Sequence, residues 1–202
     1  MGAEVVCKVR FGKQESEGKA FLETSEVLFR GAFRLKIPFS SIKSAKAVEG
    51  ELRLQTAEGV AAFQLGTAAE KWRDKILHPK SRIEKLGVKP EARVSMLGEF
   101  EPEFVRELAV LTKSVSKGKV AADVEWIFFA ADSKGGLSGI SKLAKSMHGA
   151  TALWIVYPKG QTRITENDVL AAGRKSGLKD VKVVGFSATH TALKFVIPIS
   201  QR

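Results

Sequence analysis

The stretch "ARVSMLGEFEPEF", Ala92–Phe104, decides the fold of the second half of the chain. It combines a short apolar strand, a glycine and the start of a helix. Open α/β folds bind nucleotide cofactors at such a junction, and their loops carry several glycines because the backbone must approach the ligand closely. Here only Gly98 is present, and Glu99, Phe100 and Glu101 follow it. We expect these side chains to fill the space of a cofactor, and we predict no cofactor.

Strands and helices alternate on both sides of this junction. The predicted strands are Ala92–Leu97, Val124–Ala131, Ala152–Tyr157, Val181–Phe186 and Ala192–Ile197, and the predicted helices are Pro102–Val115, Leu137–Met147 and Glu166–Ser176. Such alternation predicts a parallel sheet with right-handed crossovers. Only "SATHT" joins the last two strands. Because that connection is too short for a crossover, this pair must be antiparallel.

The first half of the chain has the two-residue period of β-structure up to about residue 66. The alternating segments are "VVCKVRF", "KAFLET", "EVLFRG", "FRLKIPF", "ELRLQT" and "VAAFQL", and "VEGE" and "AEGV" are predicted hairpin turns. Short strands at this spacing predict a small sandwich or barrel. Trp126, Phe128 and Trp154, by contrast, lie in predicted strands of the second half, and we interpret them as sheet core rather than as a stacking platform.

A helix and a linker separate the two patterns. In "TAAEKWRDKIL", Thr67 is the predicted N-cap and Glu70 its capping-box partner, and one face carries Ala69, Trp72 and Ile76. The segment "HPKSR" that follows contains a proline and two cations, which predicts an exposed linker. We therefore predict two domains, residues 1–78 and 79–202.

A small barrel that is plugged by a C-terminal amphipathic helix resembles the pleckstrin-homology-like superfold, over about Val5–Leu77. Domains of that kind can bind lipid headgroups from their first hairpin, which would implicate Arg10, Lys13 and Lys19. Two glutamates in "FGKQESEG" offset this charge. We therefore expect no lipid headgroup as a partner.

The second half resembles two groups of proteins. "LGVKPEARVSMLG" looks like the entry strand of the class I S-adenosylmethionine-dependent methyltransferase fold, which ends in an antiparallel hairpin. "KLGVKPEARVSMLGEFEPEF", "LWIVYPKG" and "TALKFVIP" resemble more closely a bacterial family known only as a domain of unknown function, over about Arg82–Pro198. That resemblance implies a bacterial protein and no particular activity. In the family's hairpin we expect Trp followed by Ser, where this chain has His190 and Thr191.

Part of the methyltransferase pattern is missing. Between Val115 and Asp123 the chain has only "SKGKVAA", which cannot hold a strand–helix–strand unit. We expect the second and third strands to be deleted, together with the acidic residue that would bind ribose. Asp123 enters the next strand at the opposite end. The predicted fold class is thus an α+β, PH-like barrel capped by a helix, followed by an α/β Rossmann-like, truncated methyltransferase-like domain with a terminal antiparallel hairpin.

One loop is a candidate anion site. "SKGGLSG", Ser133–Gly139, follows a strand and opens a helix. Backbone N–H groups at such a position hold anions. The candidate residues are Lys134, Gly135, Gly136 and Ser138, with Lys159 from the next strand end. The alternative is a glycine turn with solvated lysines, because the spacing of a Walker A loop is absent.

Other chemistry has no sequence support. His78, His148 and His190 are far apart and match no metal motif, so we predict no metal site. No G-x-S-x-G motif is present and Cys7, the single cysteine, has no evident partner, so we predict no catalytic residue. We interpret Cys7 as a small buried hydrophobe. One cysteine, no apolar run of membrane length and no secretory signal predict a cytoplasmic protein.

The charge leaves the partner open. The net charge is +11, from 33 basic and 22 acidic residues, and the part from Lys134 onward holds 11 basic and 3 acidic residues. This excess attracts polyanions, or it simply solubilises the surface. We predict a non-catalytic binding or scaffold module with a degenerate methyltransferase-like domain and a protein partner, either another copy or a different chain. The alternatives are an enzyme with an altered small-molecule or anion site, and a nucleic-acid binder that uses the basic C-terminal half.

Overall fold

The computed structural model describes residues 3–201 and shows a mixed α/β protein. It divides into two compact units, of which the first ends at Lys80 and the second begins at Ser81. Among the described residues, no helix has both the length and the apolar character needed to cross a membrane. The two units are described separately below.

The first unit is a seven-stranded antiparallel sheet followed by a helix. Its elements are β1 (Ala3–Phe11), β2 (Gln14–Leu22), β3 (Glu26–Arg30), β4 (Arg34–Pro38), β5 (Ser44–Val48), β6 (Glu51–Gln55), β7 (Val60–Gln64) and α1 (Ala68–Leu77), with a 3-10 turn at Phe39–Ser41. The strand order is β4-β3-β2-β1-β7-β6-β5. Because β4 and β5 stay at opposite edges, the sheet is a half-barrel, and the predicted PH-like barrel is not confirmed. Both predicted hairpin turns are confirmed, since Val48 pairs with Glu51 and Gln55 with Val60.

The concave face of this sheet packs with α1. Ala69, Trp72 and Ile76 are buried on one helix face, as the spacing predicts. The predicted capping box is wrong: Thr67 makes no side-chain cap bond, because its backbone already has helical torsions, φ −62° and ψ −14°. Cys7 is 5% exposed in this core, and burial, followed by the charge of Glu17, raises the pKa of its thiol to about 11. It is a buried hydrophobe, as predicted.

In the predicted linker, residues 78–81 are exposed and lie outside helices and strands, as expected, but its last residue, Arg82, begins a helix. α2 covers Arg82–Leu86, and a complete capping box precedes it. The Ser81 hydroxyl accepts a hydrogen bond from the Glu84 amide at 3.2 Å, and the Glu84 carboxylate accepts one from the Ser81 amide at 2.7 Å. The S-x-x-E signature in "SRIE" therefore marks the start of this helix, and at Arg82 it outweighs the linker that the proline and charges predict.

The second unit is a six-stranded sheet with helices on both faces. Its further elements are β8 (Val94–Leu97), α3 (Pro102–Leu111), β9 (Val115–Lys117), β10 (Trp126–Ala130), α4 (Ile140–Lys145), β11 (Ala152–Pro158), α5 (Glu166–Lys175), β12 (Lys179–Gly185) and β13 (His190–Val196), with 3-10 turns at Gly135–Gly139 and Ile199–Gln201. The strand order is β12-β13-β11-β10-β8-β9. β9, β8, β10 and β11 run parallel, whereas β12 and β13 form the antiparallel pair that the short connection predicts.

Two segments differ from the predicted elements. The helix predicted to reach Val115 ends at Leu111, because the backbone of the buried Thr112 is extended and its hydroxyl donates to the Ala92 carbonyl at 2.8 Å. The residues released in this way form β9, which pairs in parallel with β8. The predicted deletion of the second strand is therefore wrong, because a strand does follow α3 and joins the sheet beside β8. The helix predicted over 137–147 consists of a 3-10 turn followed by the short α4.

β11 lies between two hydrophobic cores, one on each face of the sheet, and all seven of its residues are buried. Leu153 and Ile155 face a core that includes residues of α4 and α5. Trp154 faces the opposite core, which includes residues of α2 and α3, and its indole N–H donates to the Leu86 carbonyl at 3.2 Å. Phe128 is fully buried and Trp126 partly so, and all three aromatic rings belong to the sheet core, as predicted.

Candidate functional site

The parallel strands of the second unit end together at one edge of the sheet. β8, β10 and β11 end at Leu97, Ala130 and Pro158, and β9 ends at Lys117. β13 begins at the same edge, since His190 pairs with Pro158. Ligands of open α/β sheets bind outside the carboxyl ends of the strands. This carboxyl edge is therefore the candidate site.

Gly98 allows the chain to leave β8 close to its neighbour. Its φ of +91° lies in the region that favours glycine, and an added Cβ would lie 3.0 Å from the Cβ of Ala130 and 3.1 Å from its carbonyl oxygen. A side chain here would push β8 and β10 apart. The single glycine is thus explained by strand packing, with no ligand required.

An open cleft of about 620 Å³ lies beyond Gly98, and we call it the β8–β9 cleft. The expectation that side chains fill this space is wrong. Phe100 lines the cleft, but its ring packs towards the core, with its centroid 5.7 Å from that of Phe104. The Glu101 carboxylate turns to Arg82, with 2.9 Å between Oε2 and Nη1.

The wall of the β8–β9 cleft is part apolar and part charged. Its apolar members include Met96, Phe100, Pro102 and Val105, and its charged members are Glu99, Arg106 and Lys117. All three charged residues are exposed, and none of them forms an ion pair within residues 3–201. Lys117 stands at the end of the second parallel strand, where nucleotide-binding folds commonly hold ribose hydroxyls with an acidic residue. A cation there favours an anionic group instead.

A second polar group at this edge surrounds Arg82, whose side chain is only 11% exposed. Its Nε and Nη2 donate to the two oxygens of Glu107 at 2.9 and 3.0 Å, and Nη1 donates to Glu101 and to the Phe186 carbonyl. Its guanidinium lies 5.4 Å from the Phe104 ring centroid and 5.0 Å from that of Phe186. Burial opposes the charge, but the hydrogen bonds that Arg82 donates to Glu107 and Glu101 prevail and raise its pKa.

The hairpin between β12 and β13 completes this polar group. The His190 Nδ1 lies 2.9 Å from the Thr189 hydroxyl and 3.7 Å from Glu101 Oε1. The Lys159 ammonium donates to the Ser187 carbonyl at 2.7 Å. A hydrogen bond from Ser187 and then one from Arg82 lower the pKa of Glu101. Each of these groups has a partner within the protein, so the arrangement fixes the hairpin to α2 and α3.

The predicted anion loop has partners of its own. Gly135 and Gly136 begin the 3-10 turn, the Gly136 amide donates to the Ser133 hydroxyl at 3.4 Å, and the Ser138 hydroxyl donates to the Gly135 carbonyl at 2.8 Å. The Lys134 ammonium lies 3.0 Å from Asp168, whose pKa is lowered by hydrogen bonds from Thr165 and then from Lys134. Lys134 and Lys159 follow neighbouring strands but contact different partners. Anion binding by Lys134, Gly135, Gly136, Ser138 and Lys159 stays a prediction.

The opposite edge of the sheet holds Asp123, as its position in the sequence predicts. It lines a depression of about 400 Å³ with Glu125, Trp126 and His148, beside the amino ends of β10 and β11. Within the described part of the chain, no three His, Cys, Asp or Glu side chains form a group suited to a metal ion. Neither Asp123 nor His148 belongs to the β8–β9 cleft.

The residues that sequence reasoning missed are the two cations of the β8–β9 cleft. Arg106 lies four residues after Pro102, which is one turn of a helix. The predicted helix therefore already placed these two residues on the same face. Lys117 had no such signal, because its position depends on β9. A three-residue strand carries too little periodicity to be seen in the sequence.

Comparison with known proteins gives fold-level likeness only. No protein-family model and no curated protein match the chain. A TehB-like SAM-dependent methyltransferase from Corynebacterium glutamicum is 11% identical over 64% of this chain and 96% of its own, with a TM-score of 0.39. A SAM-dependent methyltransferase from Aquifex aeolicus is 17% identical over 61% and 96%, with a TM-score of 0.40.

A third solved structure gives a similar result. The ribosomal protein L11 methylase of Lactobacillus delbrueckii subsp. bulgaricus is 15% identical over 57% of this chain and 74% of its own, with a TM-score of 0.38. At such identities and TM-scores, these likenesses assign neither an activity nor a cofactor to this chain.

Proposed function

We propose that the chain is a non-catalytic binding module whose β8–β9 cleft takes a small ligand with an anionic group and an apolar portion. The supporting observation is the pair of cations, Arg106 and Lys117, on the wall of a cleft of about 620 Å³. Neither cation has a carboxylate partner in the described part of the chain. Ligand sites of this size are typically apolar with a few polar groups that fix orientation, which matches the wall.

The charge balance of the wall favours an anion. Two cations face one carboxylate, that of Glu99, so the wall keeps one excess positive charge. Met96 and Val105 offer an apolar surface next to these charges. A nucleoside monophosphate combines a flat ring with a phosphate and is a suitable probe. S-adenosylhomocysteine, which has a cationic ammonium beside its carboxylate, suits the wall less well.

The same wall supports a binding role rather than a reaction. Its residues, all within the described range, include no Ser, Cys or His to act as nucleophile or base. The nearby His190 and Glu101 are engaged with Thr189 and Arg82. A protein partner, whether another copy of this chain or a different one, stays a prediction from the sequence, as does a cytoplasmic location.

Calorimetric titration of the purified protein with adenosine 5′-monophosphate, adenosine and S-adenosylhomocysteine tests this proposal. We expect the monophosphate to bind about tenfold more tightly than adenosine, because the phosphate gains charge-assisted hydrogen bonds. Lys117→Gln and Arg106→Gln should each weaken its binding by about tenfold. Lys119→Gln removes the same charge two residues away, outside the lining, and should leave the affinity unchanged.

Three results would contradict this proposal, each in a different way. Tight binding of S-adenosylhomocysteine that is insensitive to Lys117→Gln would restore the enzyme alternative with its methyltransferase-like cofactor. Equal binding of adenosine and its monophosphate would contradict the role of the two cations. No binding of any probe would remove the small-ligand proposal and leave the protein-contact role predicted from the sequence.

A further inference from the structure

The outer face of the half-barrel in the first unit carries a row of cations that an alanine interrupts. In the antiparallel pairing, Ala62 of β7 lies opposite both Arg10 of β1 and Arg53 of β6, and Lys46 of β5 lies opposite Arg53. Neighbouring strands are about 4.8 Å apart, which places the two arginine backbones roughly 10 Å apart. The row therefore places two arginines on either side of one small residue.

The alanine leaves a depression between the two arginines. This depression, of about 470 Å³, is lined by Arg10, Gly12, Arg53, Gly59, Val60 and Ala62. Ala62 is 5% exposed and forms its floor, whereas the side chains of Arg10 and Arg53 are 57% and 56% exposed. A larger residue at position 62 would fill the space above the floor. The arginines are thus accessible and face a common opening.

A buried carboxylate restrains both arginines. The Glu51 side chain is only 9% exposed and accepts hydrogen bonds from Arg53 Nε and, at 2.6 Å, from Gln64 Nε2. One of its oxygens also lies 3.6 Å from Arg10 Nη2. In the described part of the chain, the two Nη groups of Arg53 donate no hydrogen bond, so they remain available. A positioned guanidinium loses less side-chain entropy when it binds a ligand.

We propose that Arg10, Arg53 and the Ala62 floor form a binding site for an oxyanion, the phosphate or carboxylate group of a ligand. The two arginines that line the depression share one carboxylate, Glu51, so the site keeps one excess positive charge. Glu15, which lies opposite Arg10 on β2, pairs with Lys8 instead. A guanidinium presents paired N–H donors that match the two oxygens of such a group. All of these residues belong to the first unit, so the site is independent of the β8–β9 cleft.

Side-chain NMR tests this site directly. Protein with ¹⁵N-labelled arginine is titrated with inorganic phosphate, and separately with acetate, at constant ionic strength, while the Nε–H signals are followed. We expect the signals of Arg10 and Arg53 to shift together and to saturate with one dissociation constant. Arg30 and Arg34, which lie opposite each other on β3 and β4, serve as internal controls and should shift little. Saturation by phosphate, acetate or both identifies the group that the site accepts.

Two variants separate a built site from general attraction to a basic surface. Ala62→Leu fills the depression and keeps every charge, so saturable binding should be lost. Arg53→Gln should weaken binding about tenfold, whereas Arg30→Gln, which removes the same charge elsewhere on the sheet, should leave the dissociation constant unchanged. Unchanged binding in Ala62→Leu, or equal unsaturated shifts of all arginines, would overturn the proposal. Amide spectra of each variant verify that it is folded, and Lys117→Gln should have no effect.

Discussion

At the scale of single residues, Glu101 connects the start of α3 to Arg82 and to the β12–β13 hairpin. Its lowered pKa, caused by the hydrogen bond from Ser187 and then by Arg82, means that its ionised form stabilises the folded state. That contribution is complete above the ordinary pKa of 4.5 and is lost as the pH falls through the lower, folded-state pKa. The second unit should therefore lose part of its stability in acid through this carboxylate.

Glu101→Gln tests this contribution. We expect the free energy of unfolding at pH 7 to fall by about 1 kcal/mol. This is less than a buried charged hydrogen bond contributes, because the Glu101 carboxylate is 32% exposed and water screens it. The difference from the unaltered protein should shrink as the pH falls below 4.5, because the unfolded state then binds a proton that the folded carboxylate still lacks. Urea unfolding at several pH values measures both effects. Glu103→Gln is the matched control, because Glu103 lies 3.8 Å from Arg82 and is 72% exposed. A pH-independent difference would contradict the assignment.

At the scale of elements, α5 packs on β13 through a glycine. A Cβ at Gly173 would lie 2.1 Å from Cε1 and 2.4 Å from Cζ of Phe195, a ring that is fully buried. Close approach of helix and sheet therefore excludes a side chain here, although alanine is the better helix former. The Phe195 ring cannot rotate away from such a Cβ, because the ring belongs to the packed core under α5.

Gly173→Ala should consequently destabilise the protein. Helix propensity alone would add about 1 kcal/mol of stability, but overpacking of a core typically costs about 1–3 kcal/mol, so we expect a net loss. Ala171→Gly, at an exposed position of the same helix, measures the propensity effect by itself. Thermal unfolding of both variants decides the sign. A Gly173→Ala protein more stable than the parent would show that α5 shifts freely on the sheet.

The elements also show which parts of this fold a sequence can reveal. Strands such as β11 and the helix α1 have long, regular patterns, and both were predicted close to their observed bounds. β9 was missed because three residues have no measurable period and its register comes from main-chain pairing with β8. The two candidate sites share this limit. Lys117 depends on β9, and the Arg10–Ala62–Arg53 row depends on β7 lying between β1 and β6, a long-range pairing that no local pattern encodes.

At the scale of the whole molecule, the net charge of +11 suggests a polyanion partner, but ion pairs and ring contacts already engage some of these cations. In the basic C-terminal part, Lys134 pairs with Asp168 and Arg174 with Asp180. Lys194 lies 4.5 Å from the Trp126 ring centroid, and burial, then the charge of Lys182, lowers its pKa. Several lysines are thus committed to contacts inside the second unit and contribute little to a binding face.

The lysines at the ends of α4 and α5 form one candidate group for a nucleic-acid contact. Lys145 and Lys175 line one depression of about 410 Å³, and Lys142 lies on the same short helix as Lys145. The Ser141 and Ser176 hydroxyls, 3.0 Å apart, join the two helices beside this group. Lysines near helix C-termini are also favoured by the helix dipole, so their presence has a purely structural explanation.

The salt dependence of duplex DNA binding distinguishes these explanations. Each phosphate neutralised contributes about −0.9 to the slope of log K against log salt, so three lysines allow a slope no steeper than about −3. We expect binding of a mixed-sequence duplex to show at most this slope and to vanish at physiological salt, with Lys145→Gln/Lys175→Gln removing most of it. Fluorescence anisotropy across a salt series measures the slope. A markedly steeper value would mean that cations beyond this group bind phosphates together. The nucleic-acid alternative would then replace the small-ligand proposal as the leading account of the chain.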